Sequence, residues 1–461
     1  MTQLGGLIIR FLQKVANWLQ SKPAPSATMV KPDPVIVPRA QHTISRESIH
    51  PNALKVLYRL HHANFAAHLV GGGVRDLLVG LKPKDFDLAT DAHPEQVQEL
   101  FRNCRLIGRR FRLAHVYFYD GIVEVATFRA NVSASAEAHP RNAEGMILSD
   151  NIYGTLAEDA WRRDFTVNAL YYNIADFSVV DYTGGMKDIE KRIIRMIGDP
   201  AQRFQEDPVR MLRAVRLAAK LHFAIEPNTE QPIFTMGNLL QNVPAARLTE
   251  EMFKIYKSGR IHETFRLLHH YGLFKVLFPQ VTAALSGENE ATYSRLMNFA
   301  FNNADERLAE QKPVNSAFLF AVLLWGPLQI RLEQNLANGQ VFYPALHLAI
   351  QTVIRQQTKT VSLPRQLVTS MQDIWLLQYR FPQRTPKWAF RILHHPRFRA
   401  AYDFLLLRSQ AGEDAQELAT WWTQFQTAEE TERHALIAGV PKHDNPHKRP
   451  RRRRAPKKKN V

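Results

Sequence analysis

Two aspartates set two residues apart, Asp85 and Asp87, are the side chains in this sequence best suited to chemistry. In a strand, positions i and i+2 share one face, ~6–7 Å apart. Carboxylates placed there repel each other unless a cation lies between them. Hard oxygen donors of this kind suit Mg²⁺, which also takes phosphate oxygens and water. Phe86 and Leu88 alternate with the pair as apolar neighbours, which predicts a strand over 86–89. Just upstream, residues 69–81 read LVGGGVRDLLVGL: a short apolar strand, three glycines and a helix start. Glycine lets backbone approach a ligand closely. The free N–H groups of a helix start favour a phosphate, and Arg75 adds a cationic fork for the same anion. A phosphate-like turn beside a carboxylate pair suggests two-metal phosphoryl transfer.

A third carboxylate has two candidates. Glu124 lies between Val123 and Val125 in an apolar stretch at 122–128, where an unpaired buried acid would be costly; a metal, an arginine or water would have to meet it. Asp164 lies in WRRDFTVNAL at 161–170, which groups Arg162, Arg163, Asp164 and Asn168 within seven residues. Further on, residues 206–216 read EDPVRMLRAVR. Pro208 fits a first helical turn with Asp207 as its cap. Arg210, Arg213 and Arg216 recur every third residue and share one slowly turning face, while Met211, Leu212, Val215 and Leu217 cover the other. That row suits a triphosphate or RNA. Asp207 and Arg210 together offer the acceptor and donor that reading a base edge requires.

These residues need a scaffold. Candidate strands at 67–70, 86–89, 115–119, 122–128, 170–174 and 179–182 alternate with helices at 51–64, 74–79 and 94–101. Beyond about 186 strands become rare, and 207–221, 248–258, 261–271 and 314–324 carry helical apolar periodicity. The expected fold class is α+β: a small mixed-sheet head followed by all-helical neck and body domains. Expected divisions are an amphipathic helix at 1–20, a Pro-rich linker at 21–49, the head at 50–183, the neck at 184–280, the body at 281–430 and a disordered basic tail at 431–461.

The chain has 461 residues and formal charge +17. With 45% apolar and 22% charged residues it can fill a core, which excludes wholesale disorder. One cysteine, Cys104, excludes an internal disulfide and a Cys-rich zinc site. The adjacent histidine pairs lack the i, i+4 spacing of a zinc helix. No run of 18 apolar residues occurs. The tail segment HKRPRRRRAPKKK at 447–459 holds nine Lys and Arg and no acid, and the rest remains at +8. That balance points to a polyanionic partner, with the tail as an electrostatic arm or a solubility device. The N-terminal stripe of Leu4, Leu7, Ile8, Phe11, Leu12, Val15 and Leu19, broken by Arg10 and Lys14, serves equally for docking on the protein body or for a helix in a membrane interface. The expected location is cytoplasmic, with the stripe raising peripheral attachment to the inner membrane face.

GGGVRDLLVGLKPKDFDLAT, WRRDFTVNALYY, DYTGGMKDIEKRIIRMIG and EDPVRMLRAVRLAAKL run in order from about 69 to 221. They resemble the successive motifs of the class II nucleotidyltransferases, the bacterial poly(A) polymerases and CCA-adding enzymes. LIGRRFRLAHV at 106–116, EVATFR at 124–129 and the basic tail resemble the polymerase branch. The resemblance implies that Asp85 and Asp87 bind two Mg²⁺ ions and that Asp164 is a third catalytic residue. It implies that Gly72, Arg75 and Arg163 hold the triphosphate of ATP, and that Asp207, Arg210, Arg213 and Arg216 line the base-reading face. Glu124 and Asn168 stand as accessory residues. The implied activity is template-independent addition of AMP to RNA 3′ ends, marking RNA for the decay machinery. A CCA-adding enzyme is the alternative, and a non-catalytic RNA-binding protein the second.

Overall fold

The structure, a computed structural model, describes residues 33–108, 112–130 and 152–440. The sheet of the head has eight strands: β1 (Val35–Val37), β2 (Ala67–Val70), β3 (Asp87–Thr90), β4 (Cys104–Ile107), β5 (Leu113–Phe118), β6 (Gly121–Thr127), β7 (Leu170–Asn173) and β8 (Val179–Asp181). Their spatial order is β1-β8-β7-β2-β3-β6-β5-β4. Only β3 and β6 pair in parallel; the other pairs are antiparallel. The mixed-sheet head is therefore as expected.

Helix α1 (Pro51–His62) repeats apolar residues at Ala53, Val56, Leu57 and Leu60, all fully buried. This face packs against Leu69, Leu88, Val123 and Val125 from the sheet. Helices α2 (Gly72–Leu78), α3 (Pro94–Leu100) and α4 (Leu156–Arg162) complete the head. Beyond it come α5 (Gly185–Lys191), α6 (Pro200–Glu206) and α7 (Val209–Leu221), and then helices through to Glu430–Ala438. Two short strands, Ile193–Ile194 and Ala224–Ile225, pair in parallel within this otherwise helical part.

The apolar side of α7 (Met211, Leu212, Val215 and Leu217) enters the core of the helical part. Phe165 and Val167, from the segment after α4, are fully buried in that same core. Burying such side chains is worth ~1.5–3 kcal/mol each. They pin Asp164 and Asn168 between head and neck. Among the described residues no single helix is long and apolar enough to cross a membrane.

Two boundaries differ from the sequence expectation. Val35–Val37, inside the expected linker, pairs with β8 as an edge strand, because prolines at 34 and 38 flank the three-residue strand without interrupting it. At the other end, a helix at Glu430–Ala438 occupies part of the expected tail. The expected helix at 1–20, the basic segment at 447–459 and residues 109–111 of the polymerase-like element lie outside the described residues.

Candidate active site

One cavity of about 780 Å³ opens between the head and α7. Its walls carry eleven Lys and Arg side chains against six Asp, so the cleft is net positive. Asp85 and Asp87, the Gly71–Gly73 turn, and Asp207, Arg210, Arg213 and Arg216 of the α7 segment all line it, and Gly73 packs against the Asp85 backbone.

Strand β3 begins at Asp87, so Asp85 sits in the segment leading into the strand rather than within it. Both aspartates are exposed to the cleft, while Leu88 is buried and Phe86 half-buried on the core side. The protein mass around the Asp87 carboxyl, then Glu124, and more weakly Asp85, push it up to about 6 against the pull of Arg163. A cation would relieve that crowding of acids.

Glu124 departs from expectation. Val123 and Val125 take the core face of β6, so alternation turns Glu124 outward, where its side chain is 49% exposed and 3.6 Å from His115 Nε2 across the β5–β6 pair. Leu88 pairs with Val125, which sets Glu124 beside Asp87 on the neighbouring strand. Glu124 therefore contributes to the field at Asp87, not a buried ligand. Among the described residues no group of three His, Cys, Asp or Glu side chains closes into a metal cluster.

Asp164 is 8% exposed, and its two oxygens have different partners. Its Oδ1 accepts from the Phe165 N–H at 2.8 Å and from Asn168 Nδ2 at 3.1 Å, and its Oδ2 lies 2.6 Å from Arg213 Nη2. Burial alone would raise this carboxyl; Arg213 and those hydrogen bonds hold it below the usual range. Asn168 in turn accepts from Arg75 Nη1. Arg75 is buried and donates to Asp76 from Nε at 3.0 Å and Nη2 at 2.6 Å. Lys220 of α7 donates to the other Asp76 oxygen at 2.7 Å. A continuous chain thus runs Lys220–Asp76–Arg75–Asn168–Asp164–Arg213, with its two ends on one helix. Arg75 lines the cleft from inside this chain, not as the free fork that its position after the glycines suggests.

Arg163 is aimed by residues that the motif reading missed. Asp159 Oδ2 accepts from Arg163 Nη2 at 3.0 Å and from the Tyr171 hydroxyl at 2.6 Å, while Arg163 Nε donates to that hydroxyl at 2.8 Å. The Arg163 Nη1 lies against Gly71, whose φ of +71° strains any other residue and where an added Cβ would stand 3.3 Å from that nitrogen. Gly72 opens α2 beside Arg75. Arg203 donates from Nη2 to the carbonyls of Arg162 and Arg163 at 2.6 and 2.8 Å, tying the end of α4 to α6.

The face of α7 is as the spacing predicts. However, the Asp207 and Arg210 side chains each bond to other partners rather than to each other. Arg247 donates to Asp207 Oδ2 at 2.9 Å, and Arg210 donates to the Arg203 carbonyl at 2.7 Å and to Glu206 at 3.2 Å. Arg216 lies 3.6 Å from Glu251, which also takes Lys254 at 2.6 Å. Burial, with neighbouring guanidiniums, pushes Arg162 down to about 9 and lowers Arg203 and Arg216. Cations crowded this closely are a receptor for a polyanion.

The geometry agrees with what the chain is similar to. Residues 67–195 match the poly A polymerase head domain, 222–285 the probable RNA and SrmB-binding site of polymerase A, and 338–459 the polymerase A arginine-rich C-terminus. Poly(A) polymerase I of Salmonella typhimurium is 46% identical over 97% of this chain and 96% of its own. The CCA-adding enzyme of Bacillus subtilis is 37% identical over 50% of this chain and 56% of its own. Among solved structures, the CCA-adding enzyme of Bacillus stearothermophilus in complex with CTP superposes with a TM-score of 0.56 and 25% identity, covering 85% of this chain and 84% of that one. The sequence match to the Bacillus subtilis CCA-adding enzyme covers about half the chain, whereas that to the Salmonella typhimurium polymerase runs nearly end to end, and the chain belongs to the bacterial poly(A) polymerase I family.

Proposed function

We propose that the cleft transfers AMP from ATP to RNA 3′ ends without a template and releases pyrophosphate. The observation that carries this reading is that Asp85 and Asp87 and the arginine row of α7 line one cavity. An acidic pair and a cationic wall are the two halves of a nucleotidyl-transfer site. The RNA 3′-hydroxyl oxygen bonds to the α-phosphorus as the bond to the bridging oxygen breaks.

Two carboxylates with room for phosphate oxygens and water fit Mg²⁺, and the acid crowding at Asp87 agrees with such an ion. Divalent ions held by Asp85 and Asp87 would lower the pKa of the attacking hydroxyl and offset charge on the leaving group. The remaining work is positioning. Arg163, oriented by Asp159 and Tyr171, holds the triphosphate over the Gly71–Gly72 turn. Asp164 acts through Arg213 as a positioning residue, and Asn168 joins it to Arg75. Asp207, braced by Arg247, and Arg210, braced by Glu206, read the adenine edge.

A CCA-adding activity is the competing reading, since head and cleft are shared. Unstructured RNA offered with each nucleoside triphosphate separately discriminates between them. Long extension with ATP alone supports polyadenylation; short C-C-A addition restricted to tRNA supports the alternative. Adenylate tails would give the decay machinery a single-stranded end to engage. We propose a cytoplasmic location, with peripheral attachment to the inner membrane face through residues 1–20 set against docking of that stripe on the protein body. Equal flotation with anionic liposomes by the full chain and by a form starting at Ser26 would remove the membrane assignment.

A further inference from the structure

The cationic surface continues past the cleft. Lys257, just after the helix Ala245–Tyr256, lines both the active-site cavity and a second cavity of about 770 Å³. The junction is tied to the carboxylate pair: Lys84, next to Asp85, donates from Nζ to the Lys257 carbonyl at 2.6 Å. The second cavity is lined by Lys257, Arg365 and Arg397, with Asn315, Ser316 and Thr369 among the polar groups and no carboxylate. All three cations are exposed. None forms an ion pair among the described residues.

This sets the second cavity apart from the first. In the cleft Arg213, Lys220 and Lys254 each have a carboxylate within 3 Å. In the second cavity the charge is uncompensated. The helices Ser316–Leu323 and Arg365–Gln378 start at its rim, adding the partial positive charge of their N-terminal ends. Amide and hydroxyl groups interspersed with cations are what phosphodiester oxygens accept from, without regard to base. An RNA strand whose 3′ end reaches Asp85 and Asp87 has further phosphates to place, and Lys257 is shared by the cleft and the second cavity.

We propose that the cavity formed by Lys257, Arg365 and Arg397 is a backbone-phosphate subsite for the RNA strand upstream of the reacting 3′ end. This rests on the polymerase reading of the adjoining cleft. Its chemistry is that of single-stranded RNA held by charge, without sequence preference.

The test uses the full chain and the double variant Arg365→Gln/Arg397→Gln. The KM for oligoadenylate primers, stepped upward from the dinucleotide, is measured together with the KM for ATP. In the wild type, the primer KM should drop once the primer is long enough to reach the cavity. In the variant that drop should vanish, with KM on long primers raised about three- to tenfold for two exposed charge contacts. The salt slope of RNA binding should flatten by about 0.7 for each phosphate released. The KM for ATP and for the shortest primer should not change, which also reports an intact fold. Arg365→Lys/Arg397→Lys should recover most of the loss. An unchanged KM and salt slope on every primer would overturn the subsite. So would an equal loss on the dinucleotide and on ATP, which would assign these arginines to the nucleotide. If the wild type itself extends no RNA with ATP, it is the polymerase reading that falls.

Discussion

Asp164→Asn separates a positioning carboxylate from a metal-binding one. Asparagine keeps an oxygen for the Phe165 N–H and for Asn168, now accepted at 2.8 and 3.1 Å. It loses the charge that meets Arg213 at 2.6 Å and turns an amide donor toward a guanidinium donor. A hydrogen bond to a charged group is worth ~1.5–3 kcal/mol. Asp164 is buried but the Arg213 side chain is 39% exposed, so solvent screening reduces this to about 1–2 kcal/mol. Misplacing Arg213 by that free energy should lower kcat/KM for ATP about 5- to 30-fold. The same loss should lower Tm by about 1–2 °C. Arg213→Gln should reproduce both effects, and combining the two should add little, because they remove one interaction. The Mg²⁺ concentration for half-maximal activity should stay where it is. The assay is ATP-dependent primer extension across a Mg²⁺ series, with thermal unfolding alongside. A Mg²⁺ requirement shifted in Asp164→Asn, with Arg213→Gln harmless, would refute the reasoning and return Asp164 to the metal.

Asp85→Asn or Asp87→Asn should abolish AMP incorporation while leaving RNA affinity nearly unchanged, and Mg²⁺-dependent turnover in either would sink the assignment of the pair. Arg210→Ala or Asp207→Ala should reduce ATP-over-CTP discrimination about tenfold to a hundredfold, since a bidentate base contact is worth ~1–3 kcal/mol; unchanged preference would mean the base is read elsewhere. Burial pushes the His68 imidazole down to about 4, against the pull of Asp176 and Asp91. The unfolded chain therefore takes up the proton first, and stability should fall with pH from about 6.5 to 4, by up to about 3 kcal/mol. His68→Leu should flatten that fall in Tm, and an identical acid profile in the two proteins would count against it. Deleting residues 447–461 should flatten the salt slope of RNA binding by roughly 3.5 units if about five of the cations engage phosphate. Chemistry at saturating RNA should persist, and an unchanged slope would leave the tail to another acidic partner or to solubility.

What local spacing can encode was legible in the residues alone. The Gly-rich turn, the Asp85–Asp87 pair, the arginine face of α7 and the order of head before helices are short-range patterns, dictated by a period of two or 3.6 and by backbone freedom at glycine. Partner choice was not legible. Asp76 meets Lys220 from 144 residues away and Asp207 meets Arg247 from 40 away; any of several cations could have served. The side toward which β6 turns Glu124 was equally hidden, because alternation gives two faces without saying which one the helices cover. Only the folded chain decided that Asp164 answers to Arg213 and that Arg75 is locked inside a relay. Only the folded chain set Lys257 between two cavities. The reason is physical: a charge at close range costs or contributes several times what it does in water, and proximity across tens of residues is a property of packing alone.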